Sequence, residues 1–311
     1  MNDILDFYAA QSIFSDPGRT AGWLDGVPDG LADIRRLATQ LVFHYRASGD
    51  PLEHGFTPDR LAEIDLRYAE DAFARLQALR AGSITAAREP TQCILGCCRD
   101  FTLLFVAMAR NRGIPARARV GFAGYFDPSW WYDHVVAEVW DDVDKRWRLV
   151  EAQIPDGYVD LGSGRAIDPL DVPRDRFLVG ADAWRAVRSG AMDPARSGVA
   201  PNLDLPFLQS WTYIAHNLVF DLAALNKREM VLWETWGVLD SLEPPDATLA
   251  ADLDVLAAWL ADPLVSLDQI RALYDDDRMR VPASVTNHSP FDGSSRVVDL
   301  RTVSLVEGAG A

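Results

Sequence analysis

One stretch of the chain restricts the fold more than any other. Residues 98–112 carry apolar side chains at most interior positions: Phe101, Leu103, Leu104, Phe105, Val106 and Met108. A helix that is hydrophobic nearly all round has to be covered on most sides. Gly113 stands where a C-terminal cap belongs, and Pro115 forbids continuation. Three short strand patterns follow, at residues 117–122, 134–140 and 146–151, and the last two are joined by a polar turn at 141–145. A buried helix leading into an antiparallel hairpin predicts an α+β fold.

The flanks read as helical packing elements. Leu31, Ile34, Leu37, Leu41 and Tyr45 form one stripe over residues 31–46. Thr57-Pro58 marks a helix start, followed by Leu61, Ile64, Tyr68, Ala72 and Leu76 on one face. Residues 155–206 are rich in Gly, Pro and Asp, with a helix expected at 181–189. A long helical stretch is expected at 207–236. The 311 residues are enough for a sizeable core. The expected organisation is a helical N-terminal segment (1–90), a catalytic core (91–200), a helical C-terminal segment (201–275) and a weakly structured tail (276–311).

Charge narrows the partners. With 30 Lys plus Arg against 46 Asp plus Glu, the net charge is -16. That balance argues against nucleic acid and against anionic membrane surfaces. No run approaches the ~20 apolar residues needed to span a bilayer. Met1-Asn2-Asp3 opens without a basic or apolar leader pattern, so no secretory signal is expected. The three cysteines, Cys93, Cys97 and Cys98, are an odd, tight cluster rather than a disulfide framework. They suit a reducing compartment, and a cytoplasmic location is expected. Nothing in the pattern specifies an oligomeric state.

Cys98 sits where the apolar helix begins. Unpaired backbone N–H groups and the helix dipole there favour a thiolate, so the spacing predicts a lowered thiol pKa and a nucleophile that alkylates fast at neutral pH. The competing reading is a cysteine that only packs. His134 opens the second strand pattern, the first strand of the hairpin, placed to project into a cleft or to serve as a core histidine. If residues 141–144 form the loop, Trp140 pairs with Lys145 and His134 falls opposite Glu151. A two-residue slip keeps Glu151 on the same face as a diagonal neighbour, and a one-residue slip sends it away. Glu151 is therefore the candidate acid, against the alternative of an exposed strand-end carboxylate. Cys93 and Cys97 match half of a zinc site, but no second pair exists, and the turn at Asp141, Asp142 and Asp144 lacks the features of a calcium loop. No metal and no cofactor are expected.

At this point a family resemblance enters. Gly96-x-Cys98-x-Asp100-Phe101, continuing through Leu104, Ala109, Arg110 and Gly113-Ile114-Pro115-Ala116-Arg117, closely resembles the nucleophile helix of the transglutaminase-like superfamily. His134 with Glu138 and Val139 resembles that family's His-x-x-x-Glu-Val strand, and residues 147–151 resemble the strand after it. The resemblance implies a papain-like core with a triad mapped to Cys98, His134 and Glu151. The chain departs from the family in having Glu151 where Asp is usual and Ala152 where Pro is usual, so Asp160 stands as a fallback acid. Gln92 lies six residues before Cys98, the offset of the oxyanion-hole Gln in papain-like proteases. His216, Asn217 and Asp221, polar groups in an apolar helix, either line a pocket or tie helices together. The expected function is cysteine-dependent acyl transfer on a small-molecule or peptidic amide or ester. Water would resolve the acyl-enzyme in an amidase, peptidase or deamidase, and an amine would in a transamidase. The rival is a catalytically silent domain that binds a peptide in its cleft.

Overall fold

The structure is a computed structural model describing residues 2–301. The chain opens with α1 (Asn2–Ala9) and α2 (Leu31–Thr39). The stripe expected to run through residue 46 breaks after Thr39, and β1 (Val42–His44) follows. The run after Thr57 also divides: a 3-10 turn covers Pro58–Asp65, Leu66 and Tyr68 are extended, and α3 (Ala69–Leu79) follows. A short β2 (Ile94–Gly96) then pairs parallel to β1, with Gly96 opposite His44. It leads directly into α4 (Cys98–Asn111), the buried helix, buried along nearly its whole length.

A sheet receives α4. The strands β3 (Ala116–Asp127), β4 (Trp130–Asp141), β5 (Arg146–Val150) and β6 (Phe177–Val179) are ordered β5-β4-β3-β6, all antiparallel, and β7 (Ser197–Gly198) adds parallel to β4. Tyr125, Phe126, Trp130, Trp131 and Tyr132 belong to the ends of β3 and β4. The strands α4 covers are β4 and β3. Next come α5 (Gly180–Arg188) and α6 (Ser210–Leu225), the latter packed on β3. The long helix expected over 207–236 ends at Leu225, where Lys227 takes a left-handed conformation (φ 57°). Beyond it lie β8 (Glu234–Thr235), α7 (Ala247–Leu260) and α8 (Leu267–Tyr274). The segment expected as a weakly structured tail carries β9 (Ser284–His288) and β10 (Ser295–Asp299), which form a three-stranded sheet with β8. Residues 302–311 of that expected tail lie outside the described residues. Helices and antiparallel sheet segregate along the chain, so the fold is α+β. No helix among the described residues is long and apolar enough to cross a membrane.

The β4–β5 hairpin has its own register. Trp140 pairs with Trp147 and Asp141 with Arg146, not Trp140 with Lys145. Lys145 adopts φ 51°, and the Asp141 carboxylate accepts the backbone N–H groups of Val143 (2.9 Å) and Asp144 (3.3 Å). This turn moves the loop to residues 142–145, and the ladder slips by two. Glu151 stays on the His134 face as a diagonal neighbour.

A buried charge network holds β3, β4 and α6 together. Glu138 Oε2 accepts from Arg117 Nε (2.7 Å) and Arg119 Nη1 (2.8 Å), and Oε1 from Arg174 (2.6 Å). Arg119 also forms a bidentate pair with Asp221 (2.9 and 2.8 Å). Burial alone would raise the Glu138 carboxyl, but the three guanidiniums outweigh it and hold it far below its ordinary value of 4.5. A depressed folded-state pKa contributes stability above the unfolded value and loses it as pH falls toward the folded one. Glu138→Gln should therefore cost about 3–5 kcal/mol at neutral pH, since it leaves buried arginines short of charge. The gap from wild type should be flat above ~pH 5.5 and narrow below ~4.5. Chemical denaturation at a series of pH values checks this; a gap that does not narrow in acid would discount the network.

Candidate active site

The start of α4 is built by the Gly96-x-Cys98-x-Asp100 sequence. Asp100 Oδ2 accepts the Cys97 backbone N–H (2.8 Å), its Oδ1 accepts from Arg99 (2.9 Å), and the Cys97 side chain accepts the Asp100 N–H in return. A Cβ at position 96 would come within 2.6 Å of the Asp100 carboxylate, which accounts for the glycine. One turn further on, Thr102 Oγ1 donates to the Val135 carbonyl (2.9 Å). Val135 follows His134, and its own N–H reaches the Cys98 thiol. The helix bearing Cys98 and the strand bearing His134 are thus locked to each other by side chain and backbone together.

His134 Nε2 lies 2.7 Å from Glu151 Oε2 in a fully buried pair. Tyr125 OH donates to the same carboxylate oxygen, and the Gln153 N–H donates to Oε1 (2.8 Å). Burial would raise the Glu151 carboxyl, but the His134 charge and these hydrogen bonds bring it below its ordinary range, so it is ionised. With Nε2 engaged by Glu151, the second ring nitrogen, Nδ1, makes no hydrogen bond among the described residues.

Cys98 and His134 both open onto one cavity of about 1210 Å³, and so does Cys97. The thiol differs from expectation in its acidity. A hydrogen bond to the Cys97 sulfur, burial, and the charges of Cys97 and Asp133 push the Cys98 thiol well above its ordinary value, and the Val135 N–H only partly opposes them. Cys98 is therefore a neutral thiol at rest rather than a preformed thiolate.

The two secondary candidates sit elsewhere. Gln92 ends a 3-10 turn, where its side-chain oxygen accepts the Glu89 N–H (3.1 Å), and it does not line the cavity. Asp160 is taken up by Arg176, Ser163 and the Gly162 N–H, and makes no hydrogen bond to His134. Cys93 belongs to a separate small core with Phe43, Phe56, Ile64 and Leu95, and its sulfur donates to the Gln40 carbonyl. Among the described residues no group of three or more His, Cys, Asp or Glu converges as metal ligands. In α6, Asn217 bonds to the Gly121 carbonyl (3.0 Å) and Asp133 (2.8 Å), while Asp221 holds Arg119, so both tie the helix to the sheet.

Two residues at the cavity escaped the sequence reading. Asp133, beside His134, accepts from Tyr213 OH (3.0 Å) and Asn217, and burial raises its carboxyl. His44 ends β1 opposite Gly96. Its Nδ1 accepts the N–H groups of Arg46 (3.1 Å) and Ala47 (3.0 Å), so the ring proton is on Nε2. Burial, with the nearby His134 charge, lowers its pKa to about 4, and the ring is neutral. The short apolar run at 41–43 was the available signal, hidden because it continues a helical stripe.

Residues 66–152 match the model of the Transglutaminase-like superfamily. This segment, which contains Cys98, His134 and Glu151, is where the chain is similar to that superfamily. None of the curated proteins matches. A solved structure described as a "putative cysteine protease" from Cytophaga hutchinsonii aligns at 16% identity and a TM-score of 0.35. The match covers 58% of this chain and 46% of that one, so the chain spans less than half the length of that relative. The superfamily match supports a cysteine-based hydrolase or transferase in general.

Proposed function

We propose that the protein transfers acyl groups from an amide or ester through Cys98, His134 and Glu151. The reading is carried by the 2.7 Å His134–Glu151 pair beside a cysteine at a helix start on the same cavity. Because the thiol is neutral at rest, His134 Nδ1 takes its proton as the sulfur attacks the carbonyl carbon. Glu151, held by Tyr125 and the Gln153 N–H, keeps Nε2 protonated and stabilises the imidazolium. The carbonyl oxygen becomes an oxyanion. Collapse breaks the bond to the amine or alcohol, which leaves with the proton from His134. The thioester is then opened by water or by an amine, with His134 again passing the proton. The three free thiols favour a reducing, cytoplasmic setting.

The oxyanion needs donors. The Cys98 N–H is one. We assign the second to His44, which lines the cavity and whose neutral ring carries its proton on Nε2 while Nδ1 is held by the backbone. His44→Asn puts an acceptor where Nδ1 lies but no donor as far out as Nε2. It should lower kcat by about 10²–10³ with KM little changed. Steady-state kinetics that show only a KM increase would remove His44 from this role.

The test of the reaction itself is mass spectrometry after a brief incubation with an aryl acetate and quenching. An acetyl thioester on Cys98 is expected. Complete absence of acylation, with a folded protein, would favour the silent peptide-binding domain.

A further inference from the structure

The cavity beyond the catalytic groups is much larger than an acetyl group needs. At about 1210 Å³ it exceeds the ~300–1,000 Å³ of ordinary ligand pockets. Its walls away from Cys98 are apolar: Phe207, Val219 of α6, Leu232, Leu239, and Leu249 and Leu253 of α7. His216 of α6 also lines it and is neutral there, since burial lowers its pKa to about 4. Its ring is stacked between Tyr213 and Phe220. Polar side chains line it as well, among them Cys98, His134, His44 and Asp133, and Thr212, Thr235, Glu243 and His288 from other elements, but the lining as a whole is mostly apolar. A peptide would need donors and acceptors along its whole length, because a buried amide without partners is costly. A mostly apolar lining suits an aliphatic chain better. Two cavity-lining leucines, Leu205 and Leu242, are 41% and 58% exposed, so the apolar wall continues out to solvent.

We propose that the acyl group handled at Cys98 is a long aliphatic chain, seated along the α6–α7 wall with its carbonyl at the thiol. The inference rests on the acyl-transfer reading above and names its substrate class. Each methylene seated against such a wall adds binding energy that reaches the transition state along with the ground state. It should therefore register in kcat/KM.

The experiment is a series of p-nitrophenyl esters, from acetyl through dodecanoyl, turned over by the full-length protein. Burial of one methylene corresponds to at most about fourfold, so kcat/KM should climb by two- to fourfold per carbon until the cavity is filled. Val219→Phe, which blocks the middle of the wall, should move the optimum to shorter chains. Should that variant fold poorly, Leu242→Ser, at an exposed position, should lower the dodecanoyl-to-acetyl ratio of kcat/KM several-fold. A flat series with acyl-Cys98 still forming would overturn the chain assignment and leave the catalytic reading intact. If no ester acylates Cys98, the catalytic reading fails on its own. The cavity is then judged by calorimetry of Cys98→Ala with dodecanamide against acetamide. Binding of the long amide alone sustains the chain site, and equal or absent binding ends it.

Discussion

Cys98→Ala should abolish turnover and acylation while the protein stays folded, and Cys97→Ala and Cys93→Ala should keep most activity. The alanine at 98 removes one buried sulfur. The Asp100 cap on Cys97 and the Thr102 bond to Val135 that fix the helix do not depend on it. A change confined to so small a group costs ~1 kcal/mol or less in stability. Cys97→Ala has a different signature. It removes the sulfur whose hydrogen bond and charge push the Cys98 thiol up, so Cys98 should alkylate at lower pH than in wild type. It also loses the side-chain half of the capping box, about 1 kcal/mol of helix stability. Cys93 packs in a separate cluster and should be indifferent to activity. Initial rates, thermal melts and the pH dependence of iodoacetamide labelling read all three variants. A Cys97→Ala protein as dead as Cys98→Ala would move the nucleophile one residue back.

The parts of this molecule that sequence made legible are those set by neighbouring residues. The apolar run from Phe101 to Met108 and its Gly113-Ile114-Pro115 stop define α4 almost to the residue, and alternation along β4 puts His134 at the cavity side of the sheet. The hairpin was recognisable, but its register was not. The left-handed turn at Lys145 is unusual for a lysine and leaves no mark in the composition. The 31–46 stripe failed for a related reason. Val42 to His44 lie inside a helical period that runs from Leu41 to Tyr45, yet their backbone is used by a parallel partner some fifty residues away, and so His44 was overlooked. The thiol was misjudged because what acts on it comes from outside its helix turn. Asp133 arrives from β4, and the Cys97 side chain folds back over the helix start. The strands β9 and β10 are polar and half-exposed, and only their pairing with each other and with β8 gives them order.

Glu151→Gln is expected to keep the fold and substrate affinity and to lower kcat by about 10- to 10³-fold. The structural reason begins with the register. Val150 is opposite Ala137, so the ladder continued would set Glu151 level with Val136, two residues short of His134. A diagonal of about 7–8 Å separates such positions. The extra methylene of glutamate relative to aspartate is what carries the carboxylate to 2.7 Å from Nε2. In the amide variant the Gln153 N–H still needs an oxygen to donate to, and that preference places the NH₂ at the Oε2 position, facing His134 and Tyr125. A donor facing Nε2 drives the ring proton to Nδ1, the nitrogen that has to accept the thiol proton, and the buried imidazolium also loses its counter-charge. In a serine triad the matching change costs about 10⁴. A thiol ionises more readily than a hydroxyl, so the loss here should be smaller. Glu151→Asp separates reach from charge: it keeps the carboxylate but withdraws it from the diagonal, and should also lose turnover. Asp160→Asn, whose partners are Arg176 and its own loop, should stay within a few-fold of wild type. Full activity in Glu151→Gln beside a crippled Asp160→Asn would mean that the loop after β5, not the strand end, supplies the acid.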